Sequence, residues 1–240
     1  MGLSSFFPND SNFRLDQALL PLFPLRLVLF PGQVLPLHVF EPRYHTMISD
    51  CLLREEPFGI VLLRDDMADW RTYQQNVALP HAVGTTAHIR GVEHLTDGRM
   101  NIVVTGLHRF RVRTLHFDKP FLRGDVETLP LIGSAPTAQV ETLSRRLQGY
   151  LHLLSQIVQN DIDLGELPQD PGALAYLVAS ALQIPWEEKQ ALLEIATVPD
   201  LLAQEQRVLA KEASLLRFMH GSEDRIEDQI LGATGYLYPN

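Results

Sequence analysis

Residues 20–44, LPLFPLRLVLFPGQVLPLHVFEPRY, constrain the fold of this 240-residue chain more than any other stretch. The segment is strongly apolar, and a membrane span takes roughly 20 such residues in one continuous helix. Pro21, Pro24, Pro31 and Pro36, together with Gly32 and Arg26, forbid that helix. Each proline removes a backbone donor and clashes with the preceding turn. The pattern predicts instead two short buried strands, about Leu25 to Phe30 and Val34 to Phe40, joined by a turn at Pro31-Gly32. A helix then starts at Pro42, a residue suited to a first helical turn.

The rest of the composition narrows the class. Apolar residues make up 45% of the chain, enough for a substantial core. Lys and Arg number 20 against 29 Asp and Glu, a net charge of −9 that repels a phosphate backbone. Cys51 is the only cysteine, so neither an internal disulfide nor a cysteine-rich metal site can form. The start, MGLSSFFPNDSNFRLDQ, has no basic beginning and no unbroken apolar run, so it does not read as a secretory signal. The expectation is a soluble, cytoplasmic protein without a membrane segment.

Along the chain, the first half reads as β-rich with one early helix. Pro42 to about Glu56 carries Tyr44, Met47, Ile48, Cys51 and Leu52 at helical spacing. Phe58 to Leu63 is a short buried strand, and Asp65 to Pro80 is an exposed excursion. Gly84 to Leu95 and Arg99 to Gly106 flank Asp97-Gly98, which favours a type I′ hairpin. His108 to His116 and Phe121 to Leu129 add two strands, giving a small barrel or a pair of packed sheets. Leu131 to Pro136 reads as a linker, and helices follow. Val140, Leu143, Leu147, Tyr150, Leu151, Leu154 and Ile157 form one apolar stripe. Asp170-Pro171, Ile184-Pro185 and Val198-Pro199 mark helix starts near 171, 185 and 199, the last helix ending at Gly221. The expected division is an extension at 1–18, a β-rich unit at 19–130, a linker at 131–136, a helical unit at 137–220 and a tail at 221–240.

The order of several short segments carries a family resemblance. Leu22-Phe23-Pro24-Leu25, Val28-Leu29-Phe30-Pro31-Gly32, Leu35-Pro36-Leu37 and Phe40-Glu41-Pro42-Arg43-Tyr44 resemble the N-terminal domain of Lon protease. Phe58-Gly59-Ile60-Val61, Val83-Gly84-Thr85, Asp97-Gly98-Arg99, Gly106 to Arg111, Phe121-Leu122-Arg123, Asp125-Val126-Glu127 and Pro185 to Gln190 continue the likeness in register. It covers roughly Leu19 to Met219 and is nearest to stand-alone proteins that carry this domain without the rest of the protease. The resemblance implies an α+β fold: a PUA-like (pseudouridine-synthase-and-archaeosine-transglycosylase-like) β-barrel with one early helix, followed by a C-terminal helical bundle. It also implies a module that recognises unfolded or flexible polypeptides for a protease or chaperone machine and performs no chemistry itself.

The residues agree with that last point. No Gly-Lys pair occurs, so the phosphate-cradling G-x-x-x-x-G-K-[ST] loop is missing. No G-x-S-x-G elbow occurs either, and the only lysines are Lys119, Lys189 and Lys211. Nine histidines raise the question of a metal. His88 and His94 share a strand face but lie about 20 Å apart, too far for one ion. His38 with His45, and His108 with His116, lack a zinc-type spacing. No cofactor and no metal site are expected.

Candidate contact residues remain. Arg109, Arg111 and Arg113 alternate with Phe110 and Val112, which puts three guanidinium groups on one strand face. That face is either a solvated one paired with nearby acids such as Glu41, or a basic strip for acidic peptide or RNA. RNA or nucleotide binding is the alternative reading for a PUA-like unit, but the acidic balance and the lack of stacking aromatics disfavour it. Glu41, Arg43 and Tyr44 read as structural groups at a strand-to-helix junction. Phe23, Phe40 and Trp70 are apolar candidates for peptide contact. A monomer or weak homodimer is expected.

Overall fold

The computed structural model describes residues 19–64, 80–158 and 165–234, with side chains described through Phe218. In chain order the elements are β1 (Leu20–Leu25), β2 (Val34–Val39), α1 (Pro42–Arg54), β3 (Phe58–Leu62), β4 (Val83–His94), β5 (Met100–His116) and β6 (Leu122–Thr128). Helices α2 (Thr137–Val158), α3 (Pro171–Ala181), α4 (Trp186–Glu194) and α5 (Val198–Thr234) complete this α+β chain. The sheet runs β2-β5-β4-β3-β1-β6, and β6 pairs back onto β5. Five strands therefore form a closed cycle of pairings. Among the described strands, β2 alone has a partner on one side only.

The apolar N-terminal stretch does form strand, turn and strand, but the first strand lies earlier than expected. Pro21 and Pro24 sit inside β1, which tolerates them because its two ladders overlap only at Leu22. Leu20 to Leu22 pair with β6, and Leu22 to Leu25 pair with β3 in parallel. Val28, Leu29 and Phe30, expected in that strand, instead form a buried crossing segment. The Thr85 hydroxyl donates to the Leu29 carbonyl at 2.6 Å and holds it there. A Cβ at Gly106 would collide with the Phe30 carbonyl, so glycine lets this segment cross close over β5. That explains why β5 runs unbroken from Met100 to His116, where the sequence suggested two strands.

The hairpin before it also differs from expectation. Gly98 donates to the Leu95 carbonyl at 3.1 Å and Leu95 to the Arg99 carbonyl at 2.8 Å. Only Gly98 has positive φ there (84°), so this is a three-residue loop ending in a left-handed glycine, and the type I′ turn does not form.

Tyr44, Met47, Ile48 and Cys51 of α1 close one core against Phe23, Phe58 and Ile102. The largest core crosses between the two halves of the chain. Val28, Phe30, Leu62 and Val83 from the sheet side pack with Leu143, Leu147, Leu174, Val178 and Leu201 from the helices. Helix starts follow the proline signals: Asp170 caps α3 through a 2.8 Å bond from the Ala173 amide, with Pro171 in the first turn. Helix α5 continues to Thr234, past the expected end at Gly221. One interior glycine costs a helix about 1 kcal/mol, which does not by itself terminate it.

Two polar ties fix the helices to the sheet. Arg109, only 2% exposed, projects from β5 and donates to the carbonyls of Leu193 (2.6 Å), Ile195 (2.5 Å) and Pro130 (2.9 Å). Two of these acceptors close the C-terminal end of α4, where carbonyls lack helical partners and the helix dipole favours a cation. Gln190 of α4 donates back to the Val83 carbonyl at 3.0 Å. Arg109→Met would take the donors from three carbonyls, that of Leu193 buried and the other two partly so, and should destabilise the chain by about 2–4 kcal/mol in urea unfolding. Arg109→Lys should recover only part of that loss, since one ammonium cannot replace the planar fork. An unchanged unfolding midpoint in both variants would show that the tie contributes nothing.

Glu205 of α5 is fully buried, and neither carboxyl oxygen has a hydrogen-bond partner. Burial raises its pKa well above the ordinary 4.5, so the folded state holds a proton that the unfolded chain releases. Stability is therefore greatest below pH 4.5 for this group and declines as pH rises toward the folded pKa. Glu205→Gln should flatten that decline and exceed the native chain in stability at pH 7, measured by urea unfolding across a pH series. A native chain no less stable at pH 7 than at pH 5 relative to Glu205→Gln would refute the assignment.

Candidate functional site

A cleft of about 920 Å³ opens where the sheet meets the helices. One wall is sheet, presenting Val34 from β2, Arg90 from β4, and Val103 and Thr105 from β5. The opposite wall is the exposed side of α3, with Ala173, Tyr176, Leu177 and Ser180. Residues 128–134 run along its edge. That segment is stitched down rather than loose: the Leu129 amide donates to the Arg109 carbonyl at 2.9 Å and the Ile132 amide to the Ala196 carbonyl at 2.9 Å. The Val198 amide returns to the Ile132 carbonyl at 2.9 Å. Gly133, at φ 89°, makes the turn that lets the chain leave this bridge for α2.

The cleft is apolar with a few fixed polar groups, the usual character of a site for organic or peptide ligands. Val34 is 61% exposed and Val103 40%, although both stand on regular strands, so the sheet wall keeps apolar surface in solvent. Arg90 donates from Nε to the Thr105 hydroxyl at 3.1 Å, which pins its side chain across the wall. The Gln33 side-chain oxygen accepts from the Phe30 amide at 3.0 Å. Tyr176 lies between the Arg109 guanidinium, 5.9 Å from its ring, and Phe30, whose ring centroid is 6.5 Å away. Burial raises the Tyr176 pKa, Arg109 pulls it back, and Glu205 raises it again, so its hydroxyl keeps its proton and remains a donor. Nothing in this arrangement is a nucleophile paired with a base. Its chemistry is that of contact: apolar patches with donors and acceptors between them.

The candidates read from the sequence are scattered. Phe23 is not a surface residue; it is 5% exposed, with its ring 4.1 Å from that of Tyr44. Arg109 is not part of a solvated strip either, because Pro130, Leu193 and Ile195, which lie 21, 84 and 86 positions later, meet its guanidinium there. It sits on the cleft floor, where it holds the walls in place. Arg111 and Arg113 are exposed, and Arg113 bonds Glu127 at 2.6 Å. A register shift between Val112 and Thr114 interrupts the strict alternation that put all three arginines together. Glu41 pairs with Arg43 at 2.7 Å, away from the strip. Phe40 is 64% exposed and stacks beside His38, outside the cleft. Trp70 lies outside the described residues. The sequence reading missed Val34, Val103 and Tyr176, for which a strand or helix pattern alone gives no sign of exposure to a cleft.

Among the described residues no group of three or more His, Cys, Asp or Glu side chains converges as a metal site. No helix among them is long and apolar enough to cross a membrane.

Comparison with known proteins gives a consistent result. Residues 19–211 match the family described as the ATP-dependent protease La (LON) substrate-binding domain. The chain is 28% identical over 216 residues to Lon protease 2 of Myxococcus xanthus, covering 88% of this chain and 26% of that protein. It is 30% identical over 233 residues to the Lon protease of Koribacter versatilis, covering 92% and 28%. The chain thus spans about a quarter of the length of these curated relatives, and no catalytic domain is evident in the matched part. In fold it is similar to the Lon N-terminal domain protein from Xanthomonas campestris, with a TM-score of 0.59 at 24% identity, over 78% of this chain and 96% of that one. The N-terminal domain of the Mycobacterium avium complex Lon protease superposes with a TM-score of 0.58 at 19% identity, over 82% and 98%. A β-rich half tied through a buried arginine to a helical half, with a matching sequence over most of its length, places this chain in the Lon substrate-binding domain family.

Proposed function

We propose that this chain is a non-catalytic polypeptide-binding module and that the cleft between sheet and α3 takes extended, apolar-bearing segments of unfolded or flexible proteins. In this reading it works as an adaptor or modulator for an ATP-dependent protease or chaperone machine supplied by other chains. The observation that carries it is the exposed Val34–Val103 wall facing Tyr176 and Leu177 across a cleft of about 920 Å³. A segment of alternating apolar and polar residues fits such a wall, because its apolar side chains gain roughly 25 cal/mol per Å² buried. The fixed donors and acceptors of Arg90, Tyr176 and Ser180 suit main-chain amides without demanding one sequence. Phe40, Arg111 and Arg113 are secondary contact candidates beyond the cleft.

The same reading treats the closed cycle of strands as a PUA-like barrel at 19–130, residues 131–136 as the linker, and the helices at 137–220 as a bundle. RNA binding is the weaker alternative: of the three arginines that suggested it, Arg109 is consumed inside and Arg113 is paired with Glu127.

The test is fluorescence anisotropy with labelled, reduced and alkylated α-lactalbumin, which cannot refold. The native chain should bind it, and Val34→Glu with Val103→Glu should weaken binding at least about tenfold, or 1.4 kcal/mol. The melting temperature should barely move, since both side chains are exposed. Undiminished binding by the double variant would place the contact elsewhere. Tight, steeply salt-dependent binding to single-stranded RNA would replace this reading with the alternative, and ATP hydrolysis or peptide cleavage by pure protein would end its non-catalytic part.

A further inference from the structure

A second groove, of about 520 Å³, lies between α2 and α5 on the helical half and shares no lining residue with the cleft. We infer that it binds carboxylate-rich polypeptide segments. Thr142, Arg145, Arg146 and Gly149 line it from α2, and Ala210, Ala213, Ser214 and Arg217 from α5. Both sets follow the i, i+3, i+4, i+7 spacing of a single helix face. Two stripes of arginines and small residues thus run side by side, with buried Tyr150 and Leu209 also lining the groove.

Charge identifies the occupant. The chain carries a net charge of −9, yet among the described residues this lining contains three arginines and no acid. The described ion pairs satisfy Arg43, Arg99, Arg113 and Arg123 with neighbouring carboxylates, and none of them involves Arg145, Arg146 or Arg217. Glu212, the nearby acid on α5, lies 3.9 Å from Lys211. Arg146 is held in place by a 3.1 Å bond to the Gln206 carbonyl across the two helices, which still leaves donors of its fork for a carboxylate. Tyr150, Leu209 and Ala213 of the same lining offer apolar contact beside the charges. A polypeptide mixing carboxylates with apolar side chains matches both features.

Gly149 is the independent observation. It lies in the middle of α2, where glycine is unfavourable relative to alanine. Its φ is ordinary, and a Cβ there would meet nothing within 4 Å. Neither backbone conformation nor internal packing of this chain requires a glycine. Gly149 is exposed along the groove, and bare backbone there is what a closely approaching ligand uses.

The experiment measures anisotropy of a short fluorescein-labelled peptide of alternating Glu and Leu against the full chain. Native protein should bind it, with affinity falling as salt rises. The triple variant R145E/R146E/R217E should weaken binding at least about tenfold through like-charge repulsion. Gly149→Leu is the decisive variant: it should raise the melting temperature, because leucine is a better helix former in open space, while weakening the peptide at least about tenfold. A loss of binding with a gain in stability cannot come from misfolding. Absence of binding by the native chain at low salt, or undiminished binding by either variant, would overturn the inference. Equal or tighter binding of inorganic polyphosphate or single-stranded RNA through the same arginines would also overturn it, since the groove would then select polyanions in general.

Discussion

Arg109 reaches from the middle of β5 to a carbonyl 21 residues onward and to two others 84 and 86 residues onward. That reach ties sheet, bridge and α4 together beside the apolar core they share. A buried cation needs partners: the two terminal nitrogens of Arg109 meet three carbonyls, two of them at the end of α4 where the helix dipole adds negative partial charge, while Nε is buried without one. The guanidinium plane also fixes direction, so α4, the start of the bridge at Pro130 and the sheet are held at set distances. Beside the apolar core that Val28, Phe30, Leu62 and Val83 share with the helices, this polar contact joins the two halves at the cleft. Gln190, bonding Val83 from the same helix, prevents rotation about that single point.

How much of this was visible in the sequence depended on the range of the forces involved. Proline and its preceding residue act within a turn, so the starts of α1, α3, α4 and α5 could be read from Pro42, Pro171, Pro185 and Pro199. The stripe on α2 was equally plain. The ordered series of short segments identified the family. What escaped were features decided by distant partners. Pro21 and Pro24 argue locally against a strand, yet β1 forms there because its two neighbours each use only half of it. Gly106 resembles a break and is instead a crossing point under Phe30. Arg109 and Arg111 share a strand face, and only the arrival of residues around 193–195 separates a buried tie from a solvated charge. The cleft wall at Val34 and Val103 was hidden for the same reason, since exposure is a property of the assembled halves.

Net charge is a similarly coarse guide. A value of −9 suggests a surface hostile to anions, but the arginines are not spread evenly. On the β-rich half they are largely spent, one inside the molecule and several on adjacent carboxylates. On the helical half, three stand along one seam, and none of the ion pairs among the described residues involves them. Two surfaces of different character therefore lie on one chain, an apolar cleft at the junction and a basic groove between two long helices, and an average over the sequence describes neither.

The one-sided strand β2 has a consequence for how this molecule behaves at high concentration. Gly106 donates to the Gln33 carbonyl, and that register turns the main-chain groups of 35, 37 and 39 toward β5 and those of 34, 36 and 38 outward. Pro36 thus puts its missing donor on the open side, in the centre of a six-residue strand. A second chain laid along this edge would find donors only at Val34 and His38, with a pyrrolidine ring between them. The other strands have partners on both sides over at least part of their length, although β4 beyond Ala87 pairs with β5 alone. Strand-upon-strand addition of a second copy is thus disfavoured along β2, and the residue responsible is one of the prolines that first ruled out a membrane helix.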